Sequence, residues 1–92
     1  MELVIEHDQN HQRFYATSSG QLCELKYKKI DQKTLDYFKT FVPESLRNQG
    51  IASQLTRFSL EFAKQNNYHI IPSCPYVKLY IDKHPEYKHL IK

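Results

Sequence analysis

Apolar and polar residues alternate along the first 42 positions of the chain and give way to a helical period after residue 50. Residues 2–7, ELVIEH, show the alternation first, and RFYAT at 13–17 repeats it after the polar turn DQNHQ. An SSG turn then leads into QLCELKYKKI at 21–30. In that run Leu22, Glu24, Lys26 and Lys28 share one face, while Cys23, Leu25, Tyr27 and Lys29 share the other, the one expected to meet the core. After the turn DQK, the β-branched and aromatic run TLDYFKTFV at 34–42 is stopped by Pro43. Successive strands joined by such short loops predict an antiparallel meander.

Ile51, Leu55, Phe58 and Phe62 then recur at helical spacing, with Ala52, Ser59 and Ala63 beside them, and predict one long helix with a single apolar stripe ending near QNNY. YHII at 68–71 is a short strand stopped by Pro72, and PYVKLYIDKH at 75–84 is a second helix opened by Pro75. A strand, helix and strand in that order make a parallel pair with the helix crossing over the sheet. The final PEYKHLIK, 85–92, is expected to make a helical turn. The fold class expected is α/β (α+β), a meander followed by a long helix, a parallel strand and a second helix.

A chain of 92 residues that is 40% hydrophobic and 25% charged has the composition of a small globular protein and room for one core, so a single domain over 1–92 is expected. No apolar run approaches the roughly 18 residues of a membrane span. The start, MELVIEHDQN, lacks the basic-then-apolar order of a secretion signal, which leaves the cytoplasm as the expected compartment. Cys23 and Cys74 form no C-x-x-C pair and read as reduced thiols. The histidines form no H-E-x-x-H, and His84 and His89 are five apart, so no metal site is expected. The net charge of +3 is spread along the chain, which suits an anionic ligand without demanding one.

The stretch VPESLRNQGIASQL, residues 42–55, places Arg47 and Gly50 just ahead of the long helix, whose first turn has no carboxylate. Helix N-termini carry unpaired N–H groups and positive partial charge, and a glycine lets backbone approach a phosphate closely. A plainer account makes Gly50 a turn glycine, Asn48 the helix cap and Arg47 a solvated charge. In its context, RNQGIA (47–52) resembles the Q/R-x-x-G-x-G/A signature of the GCN5-related N-acetyltransferases. The wider pattern of TFVPESLRNQGIASQL and IIPSCPYVKLYIDKHPEY is similar to the small single-domain branch of that superfamily, the YjdJ-type predicted acetyltransferases. The resemblance spans roughly residues 20–90.

The resemblance implies that Arg47, Asn48, Gln49, Gly50, Ile51 and Ala52 form the loop that binds the pyrophosphate of acetyl-coenzyme A, and that Phe41 and Val42 lie on the strand whose backbone pairs with the pantetheine arm. Asn48 stands where this branch usually has glycine. The link DQNHQ is much shorter than the helical insertion of larger members, which implies an open acceptor side. Cys74, between Pro72 and Pro75, falls at or next to the N-cap of the second helix, a setting that favours thiolate. Two roles stand side by side for it: an acyl-accepting or acetyl-positioning residue near the thioester, or a small buried packing residue. Cys23 is a packing residue. His84, Glu24 or Tyr80 could relay the proton that an acceptor ammonium must lose, and each also has a plain structural use. Tyr76, Tyr80 and Tyr87 are expected at core and rim.

The implied activity is acetyl-coenzyme A-dependent acetyl transfer to a primary amine, with Cys74 and His84 as catalytic candidates and no metal. The chain is expected to act as a monomer on an amine of a small molecule or a protein, with no membrane partner. Two other readings are a coenzyme A-binding or regulatory module with little catalysis and a small basic nucleic-acid-binding domain. The modest charge and the lack of an RNP-like aromatic pattern weigh against the last.

Overall fold

A computed structural model describes residues 3–92. Five strands form one sheet in sequence order: β1 (Glu6–Asp8), β2 (Arg13–Ser18), β3 (Gln21–Asp31), β4 (Thr34–Phe41) and β5 (His69–Ile71). The first four make the expected antiparallel meander, and β5 joins β4 in parallel after the crossing helix α1 (Ile51–Gln65). Helix α2 (Pro75–Lys83) and a 3-10 helix (Pro85–Leu90) complete the chain. No helix among the described residues is long and apolar enough to cross a membrane.

The turn between β2 and β3 has positive φ at both Ser19 (51°) and Gly20 (74°), the left-handed pair that matches the twist of a two-residue hairpin. β1 is shorter than the alternation of residues 2–7 predicts. Glu2 lies outside the described residues, and Leu3 and Ile5 pack against the core without joining the ladder. Lys29, expected on the core face of β3, pairs with the inward Leu35 and keeps that side, but its side chain is exposed, with the ammonium 5.9 Å from the centroid of the Tyr68 ring. A shift in the β3–β4 register has more effect on the molecule: Lys26 pairs with Lys39 and Tyr27 with Tyr37, so Phe38 has no partner and β4 bulges there.

The buried line of α1 runs through Ile51, Leu55, Thr56, Ser59, Leu60 and Ala63, whereas Phe58 is 39% exposed and Phe62 only partly buried. The helix is rolled relative to the predicted stripe. Tyr37, fully buried on β4, donates its hydroxyl to the Ser59 carbonyl at 2.6 Å, which sets Ser59 facing the sheet. Phe58 and Phe62 are left on the flank, edge-on to Phe14 with centroids 5.9 and 5.5 Å away. Helix α2 ends one residue before the predicted limit, at His84, whose N–H closes on the Ile81 carbonyl.

One hydrophobic cluster joins the inward residues of the sheet, Phe14, Cys23, Leu25, Leu35, Tyr37 and Ile70, to Leu55 and Leu60 of α1 and Val77 and Ile81 of α2. Both helices therefore cover the same face. The opposite face carries Arg13, Tyr15, Glu24, Lys26, Lys28 and Asp36, half-buried or exposed, with Arg13 donating to Glu24 at 3.1 Å.

Candidate functional site

β4 and β5 pair only from Thr34 to Asp36, opposite His69 to Ile71. Pro72 then ends β5, and the chain turns, the Ser73 N–H closing on the Ile71 carbonyl at 3.0 Å. The Cys74 N–H donates to the Tyr37 carbonyl at 2.9 Å, the last backbone tie between the diverging segments. Beyond it the edge of β4 faces a cavity of about 450 Å³. Thr40, Phe41 and Val42 form one wall, Leu46, Arg47, Asn48 and Gly50 the end, and Ile51, Ala52, Ser53 and Tyr76 the helical side.

The end wall follows from local sequence. Pro43 prevents β4 from continuing, and a 3-10 turn, Glu44–Leu46, buries Leu46 as an anchor. Arg47 then donates Nε to the Val42 carbonyl at 3.1 Å and closes the loop on itself. Asn48 and Gly50 both have positive φ, 67° and 79°, so the chain doubles back before α1. Asparagine is among the few residues with a side chain that accept this conformation readily, which suits Asn48 to the turn. Gly50 is the N-cap of α1, so the plain reading of Asn48 as the cap is set aside. The cap offers no side-chain hydrogen bond and the first turn has no acidic residue, so the first N–H groups of a 15-residue helix are open towards the cavity. A methyl group built on Gly50 would meet nothing within 4 Å. This is a cradle of backbone donors with room in front of it, suited to an anion.

Seven of the eight residues expected to hold the cofactor, Phe41, Val42, Arg47, Asn48, Gly50, Ile51 and Ala52, line this one cavity, and Gln49 is exposed beside it. Cys74 is the N-cap of α2, buried to 6% exposure, with Sγ 3.5 Å from the Thr40 hydroxyl. Thr40 itself faces the cavity, so the thiol stands one side chain behind the wall. His84 is elsewhere. It sits at the opposite end of α2, ten positions on and therefore about 15 Å along the axis, where its ring stacks on Tyr80 with centroids 4.0 Å apart and Nδ1 donates to the Tyr80 carbonyl at 2.8 Å. Burial raises the Tyr80 and Tyr87 hydroxyls above their ordinary range, and Tyr87 reaches about 12 as it donates to Glu61 at 2.6 Å. Glu24 is engaged by Arg13 on the far face of the sheet. Cys23 is fully buried and burial raises its thiol pKa, in keeping with packing.

Thr40, Leu46 and Ser53 were missed at the sequence level. Thr40 turns inward because it follows the bulge: it pairs with Leu25, an inward residue of β3, and simple alternation from Leu35 and Tyr37 would have turned it out.

Residues 13–90 match the family model of the GCN5-related N-acetyl-transferases. Protein NATD1 of Xenopus tropicalis is 28% identical over 83 residues, which cover 88% of this chain and 76% of that protein. Protein NATD1 of Danio rerio is 28% identical over 89 residues, covering 92% and 81% respectively. The solution NMR structure of a GCN5-like protein from Staphylococcus aureus, proposed to be an N-acetyltransferase, superposes with a TM-score of 0.76 at 27% identity, over 98% of this chain and 88% of that one.

Proposed function

The chain belongs to the GCN5-related N-acetyltransferase family, and from that premise we propose that it moves an acetyl group from acetyl-coenzyme A to a primary amine. The observation that carries the proposal is the cradle at Gly50: a left-handed N-cap, an uncapped helix start free of acidic residues, and open space where a side chain would stand. Such a site favours the pyrophosphate of a coenzyme A through backbone N–H groups and the helix dipole. Residues 48–52 supply those donors, with Gln49 at the rim. Arg47, held by its bond to Val42, has its remaining guanidinium donors for a phosphate oxygen. Phe41 and Val42 offer the edge of β4 to an extended arm with amide groups.

Acetyl-coenzyme A, when bound, supplies an acetyl thioester activated towards an amine. The chain's own part is to fix its direction along β4 and to keep the reacting end beside Thr40. Cys74, directly behind Thr40, is proposed to position that end. The test is titration calorimetry with acetyl-coenzyme A, followed by release of coenzyme A thiol in the presence of n-butylamine and other primary amines. Saturable binding and amine-dependent thiol release are expected. Binding without release would make the chain a coenzyme A-binding module, and absence of binding would overturn the proposal.

A further inference from the structure

A second cavity, of about 630 Å³, runs along the flank of α1 and shares no lining residue with the cavity beside Gly50. Its floor is Ile5 and His7 at the sheet edge and Phe58 and Phe62 on the helix. Two features of the fold open it. The roll of α1 leaves Phe58 39% exposed and Phe62 only partly buried, and β1, three residues long, backs that flank with little strand. No cation lies over the Phe58 or Phe62 ring among the described residues. The His7 ring stands edge-on to Phe62 with centroids 4.4 Å apart, and its Nε2 shares a hydrogen bond of 2.6 Å with the Tyr27 hydroxyl. Burial lowers the His7 pKa, so the ring adds aromatic surface without charge at neutral pH. Two charged residues stand at the rim, Arg57 and Glu61. The Glu61 carboxylate is committed, since it accepts the Tyr87 hydroxyl at 2.6 Å. Arg57 makes no ion pair with any described residue. Gln54 and Gln65 mark the ends of the groove, eleven positions and so about 16 Å apart along the helix axis.

We infer that this groove binds a carboxylate bearing an aliphatic chain, with the head on Arg57 and the chain along Phe58, Phe62 and Ile5. An elongated apolar floor suits a linear chain, and covering the exposed Phe58 ring removes apolar surface from water. The one uncommitted charge at the rim chooses the head group. A carboxylate matches the fork of guanidinium donors with both oxygens. An ammonium on the same chain would meet Arg57 with like charge, and an alcohol would forgo the charge-assisted bonds. The site does not depend on the acetyl-transfer reading. It is nonetheless next to the cofactor cavity, because Gln54 directly follows Ser53, which lines that cavity. Two ligands would therefore rest on consecutive residues of one helix without sharing a contact.

The probe is sodium octanoate, titrated into isotopically labelled protein, with octylammonium chloride and 1-octanol as controls of the same chain length. Saturable shifts are expected at the amides of Ile5, His7, Phe58 and Phe62, with octanoate bound more tightly than either control. Arg57→Gln should raise the octanoate Kd roughly tenfold, the loss of one charged hydrogen bond, and leave 1-octanol unchanged. Arg57→Lys should recover part of that loss. Lys83→Gln removes an exposed charge of α2 and should leave the titration as in wild type, which separates Arg57 from net charge. Both positions are exposed, so the variants should melt as wild type does. Equal octanoate affinity in wild type and Arg57→Gln, equal binding of octylammonium, or an equal loss in Lys83→Gln would overturn the site. Shifts centred on residues 47–52, or displacement of octanoate by coenzyme A, would also overturn it by placing the chain in the cofactor cavity. Sedimentation of the unliganded protein as a dimer, with no shift from octanoate, would assign the groove to a second copy and refute the proposal.

Discussion

Replacing Gly50 tests the cradle, provided that effects on folding and on binding are separated. The backbone there has φ of 79°, and a built Cβ meets no atom within 4 Å. The folding cost of a side chain therefore comes from backbone conformation with no clash added. For alanine that cost is about 1–2 kcal/mol, which in a domain of this size lowers the melting temperature by roughly 4–16 °C. Valine, branched at Cβ, should cost more. Asparagine tolerates the left-handed region and should melt close to wild type. Binding should follow a different order, because any side chain at residue 50 fills the space in front of the helix start. Loss of one charged hydrogen bond from an excluded phosphate is about 1.5–3 kcal/mol, roughly a 10- to 150-fold rise in Kd. Gly50→Asn is thus the decisive variant, with a native melting temperature and far-UV spectrum but weak calorimetric binding of acetyl-coenzyme A. If Gly50→Asn folds normally and binds as tightly as wild type, the open space at Gly50 is not where the anion sits.

Arg47→Ala should raise the Kd for acetyl-coenzyme A by about 1–3 kcal/mol in free-energy terms, read by the same calorimetry, and unchanged affinity would remove Arg47 from the site. Iodoacetamide followed by mass spectrometry should label Cys74, 6% exposed beside the cavity, before the fully buried Cys23, and coenzyme A should slow that labelling; equal rates would detach Cys74 from the cleft. The His7 ring stacks on Phe14 at 4.3 Å, and burial lowers its pKa below the ordinary 6.5. The folded chain therefore refuses a proton that the unfolded chain takes up, so stability to urea should fall as pH drops from about 6.5 to the lowered value and then level off. In His7→Gln that slope should disappear, and its persistence would assign it to other groups.

Much of the fold is written in local pattern. The alternation of residues 13–17 and 21–30, the prolines at 43 and 72, and the turn of period at Ile51 sufficed for the order of elements and the parallel β4–β5 pair. The RNQGIA loop was legible through its resemblance to a family signature, and the left-handed φ of Asn48 and Gly50 gives the physical reason that residues tolerant of that conformation stand there. What stayed hidden depends on partners distant in sequence. The roll of α1 is set by the Tyr37–Ser59 bond, and periodicity gives the spacing of a stripe without saying which neighbouring meridian meets a sheet. The bulge at Phe38 leaves no mark in local composition, yet it turns Thr40 towards Cys74. His84 was a reasonable proton relay by residue type, and only the length of α2 removes it from the cavity.

The parallel pairing of β4 and β5 spans three residue pairs, and one further backbone bond, from Cys74 to Tyr37, ties the walls of the cleft together. These contacts join segments more than 30 positions apart, whereas the meander that carries β4 is built from neighbours in sequence. Non-local contacts of that kind form late and release early. The amide protons of Ile71 and Cys74 should accordingly exchange with deuterium through partial opening, well before that of Leu25 in the middle of β3. A ligand that grips both β4 and the start of α1 would slow that exchange without altering any strand of the meander, so that the cleft has its own melting behaviour within an otherwise cooperative molecule.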